Sequence, residues 1–210
     1  MAQAKRASSK KERRQESETL ILAAAEKVFA EAGYGGATMQ LIADLAGLPK
    51  ANLHYYFPTK EALYRQVVEN IFQIWLEAAD AFDEADGPRE GLGAYIDAKM
   101  EISRRQPAGS KVWAFEVMHR APIIQDYLET TLMEWTKGRA QLIQGWIEEG
   151  LMDPIDPQIL LNMIWATTQH YADFSHQIEV LNGSEPLSDA QWAAAKADVK
   201  NIILKGLGVK

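Results

Sequence analysis

The 210-residue chain is 47% hydrophobic, lacks cysteine, and sets 22 Lys or Arg against 29 Asp or Glu, for a net charge of −7. Such a composition supports a packed globular protein of one large or two small domains, and excludes a disulfide framework or a thiolate metal site. The charge is unevenly spread: residues 1–65 hold ten basic against seven acidic side chains, and the remaining 145 hold twelve against twenty-two. A polyanion is therefore drawn to the N-terminal part and repelled by the rest, which points to an N-terminal nucleic-acid module.

Met1 to Ser17 is polar and basic, with no apolar core of a secretory signal. No later stretch approaches the roughly 18 apolar residues of a membrane span, and a soluble, cytoplasmic protein is expected. Residues 1–16, with Lys5, Arg6, Lys10, Lys11, Arg13 and Arg14, have too little apolar content to fold alone, and a flexible basic arm is predicted. Such an arm is either a solvated tail or a contact to phosphates or a groove.

From Thr19 the pattern turns helical. Leu20, Ile21, Ala24, Ala25, Val28, Phe29 and Ala32 recur at the spacing of one buried helix face, and Gly33 supplies a stop. Thr38 is a suitable N-cap for a short helix carrying Leu41, Ile42, Leu45 and Ala46, and Gly47-Leu48 makes a turn. Lys50 to Tyr56 fits a third helix, too short to stand unless packed on the other two. Pro58 closes it, and Thr59 caps a long fourth helix through Leu63, Val67, Ile71, Ile74, Trp75, Ala78 and Phe82.

Gly87-Pro88 opens a fifth helix with Leu92, Tyr95, Ile96, Met100 and Ile102, which ends near Pro107. The next helix carries Val112, Trp113, Phe115 and Val117, and Pro122 separates it from a longer one. That longer helix places Leu128, Leu132, Trp135, Leu142, Ile143, Trp146 and Ile147 along one stripe, with Gly150 as its end. Asp156-Pro157 has the form of an N-cap followed by proline at the first helical position, for a helix reaching about Leu181. Ser188 and Gln191 have capping-box spacing before a last helix with Trp192, Ala195, Val199, Ile202 and Ile203. With no strand-like alternation and no internal repeat, an all-α chain of about nine helices is predicted. The expected division is the arm at 1–16, a three-helix head at 17–62 and a helical body at 63–210.

Ile42-Ala43-Asp44-Leu45-Ala46-Gly47-Leu48 supplies the small residues that let two helices meet closely around a turn. Lys50, Ala51, Asn52 and His54 then lie on the early turns of the second helix, with Tyr55 and Tyr56 just after them. Lys and Asn present donors suited to guanine and adenine edges, and Ala51 can meet a thymine methyl. The same residues also suit an ordinary αα-hairpin.

The run Thr38…Ile42-Ala43…Ala46-Gly47…Leu53-His54-Tyr55-Tyr56-Phe57…Lys60-Glu61-Ala62-Leu63 resembles the signature of the TetR family of regulators. The resemblance implies an all-α homodimer with one reading head per subunit and a larger ligand-binding and dimerising body. It implies phosphate contacts for Thr38, Tyr56 and Lys60, and base or adjacent backbone contacts for Lys50, Ala51, Asn52 and His54, beside Tyr55. Pro49 stands where the family often has Ser or Thr, and His54 where Tyr is common, so a relative's operator is not transferable.

In the body, Trp165, Thr168, Gln169 and Ala172 share one helix face, while Thr167, His170, Tyr171 and Phe174 cover much of the rest. Such a helix is buried on several sides. It serves either as the dimer helix or as a cavity wall with hydrogen-bonding groups among aromatics. Leu53 to Tyr64, Ile102-Ser103-Arg104 and the stretch from Asp156 to Phe174 resemble TetR-family regulators of pyrimidine utilisation, which respond to uracil and thymine. That resemblance implies a small-molecule effector of this kind, with Trp165, Tyr171 and Phe174 walling a ring and Gln169 and His170 meeting its polar edge.

An enzyme is the other class to weigh. His54, His119, His170 and His176 form no compact ligand set, and no Ser-His-Asp spacing stands out. Gly33-Tyr34-Gly35-Gly36 lacks the strand before and the Lys-Ser/Thr after that a phosphate loop needs. No catalytic residue, cofactor or metal is expected. A same-fold regulator with a different effector, or a ligand-binding dimer that no longer binds DNA, are the remaining alternatives.

Overall fold

The computed structural model describes residues 2–82 and 85–209, with only the backbone for 2–13 and 81. It is all-α, with no strand among the described residues. The helices are α1 (Ala2–Gly36), α2 (Met39–Ala46), α3 (Lys50–Tyr56), α4 (Lys60–Ala78), α5 (Pro88–Arg105), α6 (Pro107–Met118), α7 (Gln125–Tyr127), α8 (Met133–Glu148), α9 (Pro157–Asp173), α10 (Ser175–Leu181) and α11 (Asp189–Gly206). A π-helical turn, Leu128–Leu132, joins α7 to α8, and a short 3₁₀ turn spans Asp80–Phe82. With the joined pair taken as one, the described residues form ten helices where about nine are predicted. The difference is a break at Phe174, whose φ of −111° and ψ of 28° leave the helical region. Side chains on both flanks are bonded to α6 there: Ser110 Oγ donates to Asp173 at 2.6 Å, and Lys111 Nζ to Ser175 Oγ at 3.1 Å.

The chain packs as two compact units, one of residues 1–71 with 112–123 and one of 72–111 with 124–210. The first, the head, thus takes in the start of α4 and the end of α6 beyond the predicted limits. In it Tyr64 of α4 meets Phe29 edge-on at 4.8 Å and Tyr34 at 5.0 Å, while Arg65 Nη2 donates to the Ile123 carbonyl at 2.7 Å. The α1 stripe is buried as predicted at Ile21, Ala24, Ala25, Val28 and Phe29, whereas Leu20 and Ala32 are exposed. Gly33 adopts φ 66°, so the helix breaks there before one further turn. Upstream, the backbone of the segment predicted as a flexible arm is helical from Ala2. Extending an existing helix needs no new nucleus, and Lys, Arg, Glu and Gln are good helix formers. The basic side chains up to Arg13 lie outside the described residues.

In the body, α5, α8, α9 and α11 enclose a core of Phe82, Leu92, Tyr95, Ile96, Met100, Ile143, Trp146, Leu160, Leu161, Ile164, Val199 and Ile203. Asp156 accepts from Gln158 N and Ile159 N to start α9, and Ser188 with Gln191 forms the predicted capping box of α11. No described helix is long and apolar enough to cross a membrane.

Candidate functional site

Local chemistry sets the reading helix. Thr38 Oγ1 accepts from Leu41 N at 3.1 Å, which caps α2 and leaves the hydroxyl proton free on an exposed side chain. At the other end Gly47 takes φ 67° and ψ 27°, a left-handed conformation in which a side chain is strained. Leu48 N then donates to the Ala43 carbonyl at 3.1 Å, closing α2 and turning the chain into α3. Pro49 offers no side-chain cap, as its identity dictates.

Leu53 is the wholly buried residue of α3, so the helix is anchored on one side and open on the other. Lys50, Ala51, Asn52, His54 and Tyr55 are all exposed, Tyr55 at 71%, and Tyr56 is half-buried with its ring edge-on to Tyr55. His54 Nδ1 lies 3.3 Å from the Pro58 carbonyl. A carbonyl only accepts, so in this pair Nδ1–H is the donor.

Lys60 has a different post from the others. Its ammonium donates to the Tyr34 carbonyl at 2.7 Å and the Ala37 carbonyl at 3.0 Å, and sits 4.3 Å from the centre of the Tyr34 ring. Two of its three N–H groups thus tie the start of α4 to the α1–α2 turn, immediately before Thr38. That internal bond was not visible in the spacing, because it joins residues 26 and 23 positions apart.

The effector residues expected on α9 divide between faces. Trp165 is half-buried, its Nε1 donating to Tyr95 Oη at 2.8 Å and its ring 6.2 Å from Trp135. Gln169 is half-buried. His170 and Phe174 are exposed and stack on each other at 4.9 Å, and Tyr171 leans on Trp192 at 5.5 Å. His170 and Tyr171 line an open groove of about 400 Å³ with Ile178, Leu181, Asn182, Leu187 and Gln191. Successive helix positions turn by about 100°, so these side chains cannot all wall one cavity. Among the described residues no group of three His, Asp or Glu comes together to hold a metal ion.

The body interior holds a polar group that the sequence pattern did not single out. Lys99 of α5 is 2% exposed, with Nζ 3.8 Å from the centre of the Trp75 ring. Burial pushes its pKa down to about 7, against a smaller upward pull from Asp173. Burial pushes the Asp173 carboxyl up, and the Ser110 hydroxyl with the nearby Lys99, Lys111 and His170 opposes that shift. Tyr95, one turn before Lys99, has its phenol pushed up by burial too.

Comparison with known proteins places this geometry. Residues 21–67 match the family model "Bacterial regulatory proteins, tetR family", and residues 68–210 match "YcdC-like protein, C-terminal region". The chain is 41% identical over 187 residues to the HTH-type transcriptional regulator RutR of Escherichia coli (strain K12), spanning 89% of this chain and 88% of that one. Its fold is similar to that of the ketosteroid transcriptional regulator KstR2 of Mycobacterium tuberculosis, with a TM-score of 0.74 at 23% identity over 93% of this chain and 94% of that one. It is also similar to AibR, solved in complex with isovaleryl coenzyme A and operator DNA, with a TM-score of 0.71 at 16% identity over 89% of this chain and 97% of that one. These relatives are regulators, and the chain is not an enzyme. A short capped helix pair presenting Lys50, Ala51, Asn52 and His54, on a chain matched along almost its whole length, has one reading: this protein belongs to the TetR family and is a DNA-binding transcriptional regulator homologous to RutR.

Proposed function

We propose that the chain acts in the cytoplasm as a homodimer that binds a two-part operator through Lys50, Ala51, Asn52 and His54, with Thr38, Tyr55 and Tyr56 on the flanking backbone, and that a pyrimidine such as uracil or thymine modulates this binding. The observation that carries the DNA-contact assignment is the exposure of those side chains on a helix whose Leu53 is fully buried. Lys60 holds the turn that aims Thr38 and keeps one donor for a phosphate. The exposed apolar side chains Ile159, Met163 and Phe174 favour a subunit contact through α9. The effector reading rests on the resemblance, along Asp156 to Phe174, to regulators of pyrimidine utilisation.

The mechanism is a population shift: the dimer sets two reading heads about one helical turn of DNA apart, and effector favours a spacing that fits poorly. The lever is α4, whose residues up to Ile71 belong to the head and from Phe72 to the body. Footprinting on DNA upstream of the protein's own reading frame, with and without uracil or thymine, tests both parts. A site-specific footprint weakened by pyrimidine is expected; no footprint defeats the DNA assignment, and an unmoved footprint defeats the effector. At equilibrium, DNA must weaken effector binding by the same factor that effector weakens DNA binding.

A further inference from the structure

Lysine carries its charge on a flexible four-carbon stem, and fixing that stem on a phosphate ordinarily costs conformational entropy. Lys60 is held before any DNA arrives. Its ammonium donates to the Tyr34 carbonyl at 2.7 Å and to the Ala37 carbonyl at 3.0 Å, which leaves one N–H. Those carbonyls stand at the end of α1, where backbone acceptors lack helical partners and attract a cation. A second fixture is the Tyr34 ring, whose centre lies 4.3 Å from Nζ, within the range at which a ring face attracts an ammonium.

The ring itself is anchored. It stacks on Phe29 at 6.3 Å and meets Tyr64 at 5.0 Å, and these two residues, 2% and 1% exposed, belong to the core of the head. Burial pushes the Tyr34 phenol pKa up, and Glu61 and Glu116 push it the same way, so the ring stays neutral and its π face does the attracting. Lys60 is only half-buried, so the remaining N–H has access to solvent. Core aromatics thus support a ring, the ring supports an ammonium, and the ammonium stands at the turn that leads into Thr38.

Building on the DNA reading above, we propose that Tyr34 is a positioning residue for DNA binding: without touching DNA, its ring holds the Lys60 ammonium so that the third N–H meets a backbone phosphate. Holding the lysine in advance spares part of the ordering cost at the moment of binding. A phosphate contact carries no base information, so the ring sets affinity on every sequence and leaves discrimination to α3.

The test measures affinity across a range of salt on the DNA fragment upstream of the protein's own reading frame and on a random-sequence duplex. It compares full-length wild type, Tyr34→Phe, Tyr34→Leu, Lys60→Met and the double variant Tyr34→Leu with Lys60→Met. Tyr34→Leu should weaken binding to both duplexes by about two- to tenfold, while Tyr34→Phe keeps the ring face and should match wild type. In the Lys60→Met background Tyr34→Leu should cost nothing further. A ring needed only for packing gives the same loss in both backgrounds, which overturns this inference and leaves the Lys60 phosphate contact standing. Wild-type affinity in Tyr34→Leu, or a loss confined to the upstream fragment, overturns it as well. Should Tyr34→Leu melt early, phenylalanine carrying one, two or three fluorines at position 34 keeps the shape and drains charge from the ring face. Affinity should then fall stepwise, and a flat series overturns the inference. Lys60→Met that binds like wild type removes the phosphate contact and this inference together, with the DNA reading intact. Wild type that binds neither duplex removes all three.

Discussion

The two polar surfaces of this regulator are built in opposite ways. On α3, Lys50, Asn52 and His54 stand in water, and one buried residue, Leu53, holds them in place. In the body Lys99 is enclosed, with its ammonium 3.8 Å from the centre of the Trp75 ring. The exposed set can wait for DNA at no energetic cost, since water satisfies it and the long-range attraction of phosphate does the recruiting. The enclosed group is destabilising in its charged form, because burial strips its hydration.

The largest expected effect concerns the enclosed group. Below pH 7 Lys99 is charged in both folded and unfolded chains, so its burial penalty is fully present. Between its folded value of about 7 and the ordinary lysine value of 10.5, the folded chain releases the proton while the unfolded chain keeps it. The unfolded state then binds more protons, so this group makes stability rise with pH across that window. Asp173, the charged group that pulls against the shift, has its own raised value and titrates from the acidic side. Denaturation midpoints from pH 6.5 to 10 should therefore climb in wild type by more than in Lys99→Met, and Lys99→Met should be the more stable protein at pH 6.5; parallel curves for the two would sink the idea of a strained lysine.

Leu53→Ala should come next. It removes the sole wholly buried anchor of α3 and should cost about 2–5 kcal/mol in the head, read by chemical denaturation, while effector heat in the body persists. Lys60→Met should cost about 1.5–3 kcal/mol, because two backbone carbonyls lose a charged donor. Its salt dependence sharpens the assignment: a slope of DNA affinity against salt reduced by about one means the third N–H also meets a phosphate, and an unchanged slope means Lys60 is purely internal. The smallest effect on stability belongs to Asn52→Ala, which should leave the melting temperature in place yet remove about 1–3 kcal/mol of discrimination between operator and mismatched DNA. Equal loss of affinity on every DNA sequence would turn Asn52 into a backbone contact.

The head was largely legible from its sequence because its determinants are local. Thr38, Gly47, Pro58 and Thr59 each act within four residues, and the structure places a cap, a left-handed turn and a helix start at those positions. The body was legible as helices, and Asp156, Ser188 and Gln191 cap where their types require. Its polar interior was not. Lys99 falls on the stripe Leu92, Tyr95, Ile96, Met100 and Ser103, at positions that are all buried, yet lysine usually extends its stem along such a face and keeps its head in water. Only the packing of α5 against its neighbours denies it that exit. A charged residue in phase with an apolar stripe was the available signal. The aromatic run on α9 left two roles open, dimer helix or cavity wall, because residue types do not say what each face meets; in the structure Trp165 reaches Tyr95 while His170 and Phe174 are exposed.

The π-helical turn at Leu128–Leu132 sets a constraint on how the body tolerates changes in length. Tyr127 meets Phe72 edge-on at 5.2 Å, and Trp135 lies 6.2 Å from Trp165, so aromatic residues on both sides of the turn pack inward. In a regular helix, positions eight apart would be about 80° out of phase. The wider turn absorbs much of that difference, as an extra residue threaded into the coil does. Losing a single residue from Leu128–Leu132 would therefore act at a distance: it would leave the composition of the segment almost intact and force either Tyr127 or Trp135 away from its aromatic partner.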